Sequence, residues 1–179
     1  MFDFYPGAKE QIPQNAPPPR GNPVTTTAYV DADWAGDTTN RRSHSGVLLF
    51  VNSAPINWFS KKQTTVETST HGAELVATRI GIDMVDALRY KLRMFGVPID
   101  GATTIYCDNQ SVVHNGTRPE STLKKKHNSI SFHRIREAVA AGYINIRKIN
   151  TQDNLADILT KPLDGPTTTH LRGSILSQL

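Results

Sequence analysis

The sequence predicts an α/β domain: a mixed five-stranded sheet, three antiparallel strands then two parallel ones, flanked by helices. Three observations predict it. Short apolar and β-branched runs, separated by Gly, Ser, Asn and Pro, crowd the stretch from Thr25 to Ser60. The apolar period then changes to three and four residues. Beyond that point strand-like and helix-like segments alternate, as parallel crossovers require.

Six of the eleven prolines fall before residue 24, in "MFDFYPGAKEQIPQNAPPPRGNP". Such a stretch makes neither helix nor central strand, so residues 1–24 are expected to be an extended linker. "TTTAYVD", "SGVLLFV" (45–51) and "PINWFS" (55–60) read as three strands of an antiparallel meander. From Glu74 to Phe95, the apolar residues Ala77, Ile80, Met84, Leu88, Leu92 and Phe95 mark one face of a helix of about six turns. "GVP" at 96–98 ends it. "TTIYCDN" (103–109) is a fourth strand, followed by a short helical piece up to "NGT". "NSISFHRIREAVAAG" is a helix with Phe132, Ile135 and Val139 on one face and Gly142 as its stop. "YINIRKI" (143–149) alternates as a fifth strand, and "DNLADILTKP" is a last short helix closed by Pro162. The expected organisation is a domain over 25–163 and a weakly helical tail over 164–179.

Composition narrows the function. An apolar content of 37%, a charged content of 20% and a formal net charge of +4 suit a globular chain and permit a polyanionic partner without requiring one. The single cysteine, Cys107, excludes an internal disulfide framework and fits a reducing compartment. No apolar run approaches membrane-spanning length, the longest being "VLLFV", and no signal-peptide pattern opens the chain. The expectation is a soluble intracellular protein with no membrane partner.

"YVDADWAGD" (29–37) places Asp31 and Asp33 two residues apart, hence on one face of an extended chain. Taken alone it reads as a strand running into a polar turn. "IYCDN" repeats the pattern, an apolar strand that ends in an acid. If the first and fourth strands are neighbours, Asp31 and Asp108 sit side by side. Glu74, at the start of the long helix, and Asp157, in the last short one, can approach from the flanks. Each acid alone reads more readily as surface charge. Four together need a cation, and oxygen donors suit Mg²⁺, two ions of which support phosphodiester hydrolysis.

"YVDADWAGDTTNRRSHSG", "WFSKKQTTVETSTHGAEL", "IYCDNQS" and "DNLADILTKP" resemble, in order, the ribonuclease H domain of copia-type (pseudoviral, Ty1/copia-like) LTR retrotransposon Pol polyproteins, from about Tyr29 to Leu163. "FDFYPG" resembles the last strand of the reverse transcriptase connection that precedes such a domain. The resemblance implies a ribonuclease H-like fold and a metal-dependent endonuclease that cuts the RNA strand of RNA–DNA hybrids during reverse transcription. It implies two Mg²⁺ ions, with Mn²⁺ as a substitute. It also implies the reverse transcriptase domain of the same polyprotein as partner, and a cytoplasmic setting, inside a virus-like particle where the element is active. Asp31, Glu74, Asp108 and Asp157 take the positions of the catalytic, metal-binding acids, Asp31 as the one that bridges both ions. Asp33 is its rival, and the sequence leaves that choice open. Relatives often carry a second glutamate where this chain has Gly72, and the loop "RKINTQ" lacks the histidine of cellular ribonuclease H.

Asn109 and Gln110 are implied to reach the minor groove of the hybrid, where 2′-hydroxyls distinguish RNA from DNA. The basic stretch with Lys124, Lys125, Lys126 and Arg134, which runs on through Arg136, Arg147 and Lys148, is expected to track phosphates. Arg41, Arg42, Lys61 and Lys62 can extend that track. His127 and His133 are given structural or phosphate-facing roles, and His71 an exposed loop. Trp34 and Trp58 read as packing residues. The alternative function is a catalytically degenerate tether that supports the reverse transcriptase, and a fold relative acting on DNA is a third. A full set of four acids argues against a tether.

Overall fold

The computed structural model describes residues 5–37, 39–123 and 126–176. Strands β1 (Thr26–Asp33), β2 (His44–Val51) and β3 (Ala54–Lys62) form the meander, and α1 (Thr70–Met94) leads to β4 (Thr103–Cys107). Helices α2 (Gln110–Thr117) and α3 (Ser129–Ala140) precede β5 (Ile144–Lys148). Two 3-10 turns, Thr151–Asp153 and Leu155–Leu159, then lead into α4 (Gly165–Leu176). The sheet order is β3-β2-β1-β4-β5. β2 pairs antiparallel with β1 and β3, whereas β4 pairs parallel with β1 and β5. This is the five-stranded mixed sheet that the sequence predicts. Among the described residues no helix is long and apolar enough to cross a membrane.

Each face of the sheet has its own core. Ala28, Val30, Val47, Leu49, Ile105 and Ile146 point to the side covered by α1 and α3, where Leu75, Ile82, Val85 and Ile135 meet them. Leu48 and Phe50 point to the other side and pack with Leu155 and Leu171, the latter from α4. β2 is therefore buried on both faces, which is why "VLLFV" is an unbroken apolar run rather than an alternating one.

Helix α1 departs from the expected face. It begins at Thr70, capped by the Ser69 hydroxyl, which accepts from the Gly72 amide at 3.3 Å. Its buried stripe is Ala77, Thr78, Gly81, Ile82, Val85 and Arg89. Ile80, Met84 and Leu88 pack only at the margin, and Phe95, at the C-cap, is 79% exposed. Small residues set this orientation: a Cβ on Gly81 would lie 2.7 Å from Val30 Cγ1, so only glycine lets the helix seat this close to β1. The apolar period marked a real stripe but could not show that the closest-packed line consists of Ala, Thr and Gly.

The segment expected as an extended linker is non-helical and is strapped along α1. Amide to carbonyl bonds join Arg20 to Gly96 (2.7 Å) and Val24 to Pro98 (2.9 Å). The Glu10 carboxylate accepts from Arg89 Nε at 2.8 Å and from Arg93 Nη2 at 2.7 Å. Arg89 is 3% exposed and also donates to Gly101 O and the Thr103 hydroxyl, both at 3.1 Å. Burial raises the Glu10 pKa, but the Arg89 and Arg93 hydrogen bonds outweigh it, and the net shift is downward. The pair therefore contributes stability at neutral pH, lost only as pH falls below the ordinary glutamate range. Glu10→Ala leaves a buried guanidinium without its counter-charge and is expected to cost about 2 kcal/mol in urea denaturation at pH 7. The cost should shrink toward pH 3.

Candidate metal centre

β1 and β4 run side by side with Val30 opposite Cys107, so Asp31 and Asp108, the next residue on each, emerge together. Asp31 is 2% exposed. Glu74 arrives from the first turns of α1, its Oε1 accepting from the Ala32 amide at 3.3 Å. The fourth acid depends on the 3-10 turn Leu155–Leu159. Asn154, fully buried, ties that turn to the sheet: its Nδ2 donates to Val30 O at 2.9 Å and its Oδ1 accepts from the Ala156 amide at 3.3 Å. Asp157 is thereby set beside Asp31, and the Thr160 hydroxyl donates to Asp31 Oδ2. Lys161 Nζ lies 2.9 Å from Asp157 Oδ2 and 3.8 Å from Asp31 Oδ2. Asp108 Oδ2 accepts from the Thr151 hydroxyl at 2.9 Å.

The turn can sit this low because its neighbour on β2 has no side chain. Gly46 pairs with Asp31, and a Cβ there would lie 2.6 Å from Thr160 Cγ2 and 2.9 Å from Ala156 O. Asp33 does not join the group. Its carboxylate folds over Gly36, where a Cβ would come within 1.7 Å of Oδ2. The geometry thus brings Asp31, rather than Asp33, among the other acids.

Crowding shifts the acids upward. Burial, and then the Asp31 and Asp108 charges, hold Glu74 well above the usual glutamate range. Asp157 is pushed up to about 6 by burial and by Asp31, against the pull of Lys161. Asp31 rises too, through burial first. One oxygen, Asp157 Oδ1, is buried with no hydrogen-bond partner among the described residues. On the α1 side, donor atoms of Glu74, Cys107 and Asp108 lie within 4.8 Å of one another. Burial and the Glu74 charge keep the Cys107 thiol protonated, so the available ligands are carboxylate oxygens. That donor set, with an orphaned buried oxygen, fits a hard divalent cation such as Mg²⁺.

No family model matches the chain. Over 144 residues (80% of the chain) it is 35% identical to the retrovirus-related Pol polyprotein from transposon RE2 of Arabidopsis thaliana. Over 142 residues (79%) it is 36% identical to the Pol polyprotein from transposon TNT 1-94 of Nicotiana tabacum. The chain spans about a tenth of the length of these relatives, 10% of each. The crystal structure of LC11-RNase H1 in complex with RNA/DNA hybrid superimposes with a TM-score of 0.59 at 16% identity, over 76% of this chain and 94% of that one. The chain is a ribonuclease H-like domain homologous to a region of copia/Ty1 Pol polyproteins.

Other residues of this ribonuclease H-like domain singled out from the sequence are placed more widely. Asn109 caps α2, its Oδ1 accepting from the amides of Ser111 (3.0 Å) and Val112 (3.3 Å). Gln110 is exposed and its Nε2 lies 2.7 Å from His114 Nε2. Lys124 and Lys125 lie outside the described residues, and Lys126 is exposed. Arg134 is engaged elsewhere, by Asp83 at 3.2 Å, by Asp86 and by the Tyr143 hydroxyl at 3.2 Å. Arg136 is buried and donates to the carbonyls of Asn115, Arg118 and Pro119, at 3.0, 2.8 and 3.0 Å. His71 is not in an exposed loop but in the first turn of α1, half-buried, with Nε2 at 2.9 Å from Asn115 Nδ2. His127 Nε2 is 3.3 Å from Glu67 Oε2, and His133 meets the Tyr5 hydroxyl.

Glu67, Asn154, Thr160 and Lys161 escaped the sequence reading. Glu67 Oε2 fills the space above Gly72, where a Cβ would come within 2.6 Å of it. A buried carboxylate thus stands where a side chain at position 72 would project. Asn154 did carry a signal, an Asn directly before a short helical segment. Nothing in the sequence pattern marked Lys161 as a partner of the acids beyond its i, i+4 spacing from Asp157.

Two expected outcomes follow from this geometry. Gly46→Ala drives a methyl group into Thr160 and a backbone carbonyl, so it should lower stability by about 1–3 kcal/mol by urea denaturation. The second concerns pH. Because the folded Asp157 pKa, about 6, exceeds the ordinary 3.8, the native state binds more protons than the unfolded chain between those values. Metal-free stability from this group therefore falls as pH rises from about 4 to 6 and stays low above. Asp157→Asn should raise the melting temperature in EDTA by a few degrees at pH 8 and by little at pH 4.

Proposed function

We propose that this domain is a metal-dependent endonuclease that hydrolyses the RNA strand of RNA–DNA hybrids during retrotransposon reverse transcription. The observation that carries the reading is the convergence of Asp31, Glu74, Asp108 and Asp157, with Asp157 Oδ1 left unsatisfied. The fold relative LC11-RNase H1 is described in complex with an RNA/DNA hybrid, and the relatives from transposons RE2 and TNT 1-94 are Pol polyproteins. The reverse transcriptase domain of such a polyprotein is the partner we assign. An intracellular setting goes with that assignment.

The four carboxylates would hold two Mg²⁺ ions, which supply Lewis acidity to an attacking water and to the leaving 3′-oxygen. The protein's own residues position these ligands. Asn154 and Thr160 fix Asp157 and Asp31, Thr151 orients Asp108, and the Ala32 amide orients Glu74. Asn109 spends Oδ1 on its helix cap, so its Nδ2 is the group to reach a ribose 2′-hydroxyl, beside the Gln110 amide. Lys126, with Lys124 and Lys125 before it in sequence, supplies phosphate contacts. Arg134 is left out of that track because Asp83 and Asp86 already neutralise it.

The test is incubation with a labelled hybrid. RNA-strand cleavage that requires Mg²⁺, stops in EDTA and spares the DNA strand is expected. Asp108→Asn should slow it by about a thousandfold, on the order of 4 kcal/mol in the barrier, with no loss of melting temperature. Cleavage that survives excess EDTA would sink the two-metal reading. Hybrid binding without any cleavage would leave the tether.

A further inference from the structure

Lys161 stands in an unusual place for a surface residue. Its Nζ contacts Asp157 Oδ2 at 2.9 Å and lies 3.8 Å from Asp31 Oδ2, while both carboxylates are almost fully buried. Its own side chain is 31% exposed, so the aliphatic arm reaches in from solvent and can swing back out. Among the described residues it pairs with no other carboxylate. The ammonium meets only one oxygen of Asp157, and the other, Oδ1, is buried without a partner.

We propose that Lys161 is a resident counter-cation, which occupies the Asp31–Asp157 half of the centre without metal and which a divalent ion must expel in order to bind. This inference rests on the reading that these acids hold a divalent cation. The argument is competition for the same atoms. Asp157 Oδ2 and Asp31 Oδ2, the latter also accepting from the Thr160 hydroxyl, face the ammonium, and an ion held between the two carboxylates would draw on the same oxygens. An ammonium delivers one charge through hydrogen bonds from a single nitrogen. A divalent ion delivers two and can draw Asp157 Oδ1 as well. Lys161 therefore has two opposed effects: it compensates buried negative charge in the metal-free protein, and it weakens metal binding by the work of its displacement.

The experiment is calorimetric titration of Mg²⁺ and Mn²⁺ into wild type, Lys161→Met, Lys161→Arg and Lys91→Met, with melting temperatures in EDTA. Met matches the length of Lys without its charge. Lys91, exposed in the last turn of α1, controls for a general loss of positive charge. Lys161→Met is expected to bind about tenfold more tightly than wild type and to melt lower in EDTA, with the loss recovered on adding Mg²⁺. Lys161→Arg should stay near wild type in affinity, and so should Lys91→Met. If Lys161→Met does not fold without metal, Lys161→Gln gives the same reading. Unchanged or weaker binding in the neutral variants overturns the inference, since the ammonium would then sit beside the ion rather than in its place. Wild type that binds no divalent ion removes the metal-centre reading itself, a result distinct from wild type that binds while the variants bind no better.

Discussion

Two carboxylates, Asp31 and Asp157, share a buried space at the carboxyl end of the central strand β1, with the Glu74 and Asp108 carboxyl groups close by. Burying that much like charge opposes folding, and each acid responds by holding its proton more tightly or by finding a donor. The rest of the architecture can be understood as what makes this arrangement tolerable. Thr160 hydrogen-bonds Asp31, Lys161 offsets part of the charge, and the Ala32 amide bonds Glu74. The compensation is incomplete, as the unsatisfied Asp157 Oδ1 shows. A site that is stable but under-compensated is one that a divalent cation can complete.

Such a site requires backbones to approach one another closely, and this explains residues with no chemistry of their own. Gly46 lets the Leu155–Leu159 turn settle on β2, and Gly81 lets α1 settle on β1. Asn154 then replaces side-chain packing with a direct bond to the Val30 carbonyl, one residue before Asp31. The placement of Asp157 beside Asp31 therefore depends on a strand carbonyl, an amide side chain and a missing Cβ.

The sheet was legible because its signals are local. Period-two runs, a change of period at α1, and acids that close two strands are written in consecutive residues. The four acids could be nominated for the same reason, since each lies on or directly beside a short stretch that reads as a single element. What could not be read were facts about distance across the fold. That α1 turns its Ala77–Thr78–Gly81 line inward depends on how near β1 comes, not on apolar period. That Asp31 and not Asp33 faces the other acids depends on Asp33 finding Gly36 in the following turn. Lys161 was invisible because an i, i+4 spacing alone does not mark a contact with buried acids, and Glu67 because it fills the space that a side chain at position 72 would take.

The same distinction bears on the basic residues. A formal charge of +4 suggests a surface broadly ready for polyanions, but several cations are committed inside the fold. Arg89 and Arg93 hold Glu10, Arg134 holds Asp83 and Asp86, Arg136 holds backbone carbonyls, and Lys161 holds the acids. Exposed cations such as Lys61, Lys126, Arg147 and Lys148 remain. Arg147 and Lys148 end β5, beside β4, whose last residue precedes Asp108. An ion pair inside the fold contributes only weakly to attraction for a polyanion, so any such attraction falls to the exposed cations rather than to the basic total.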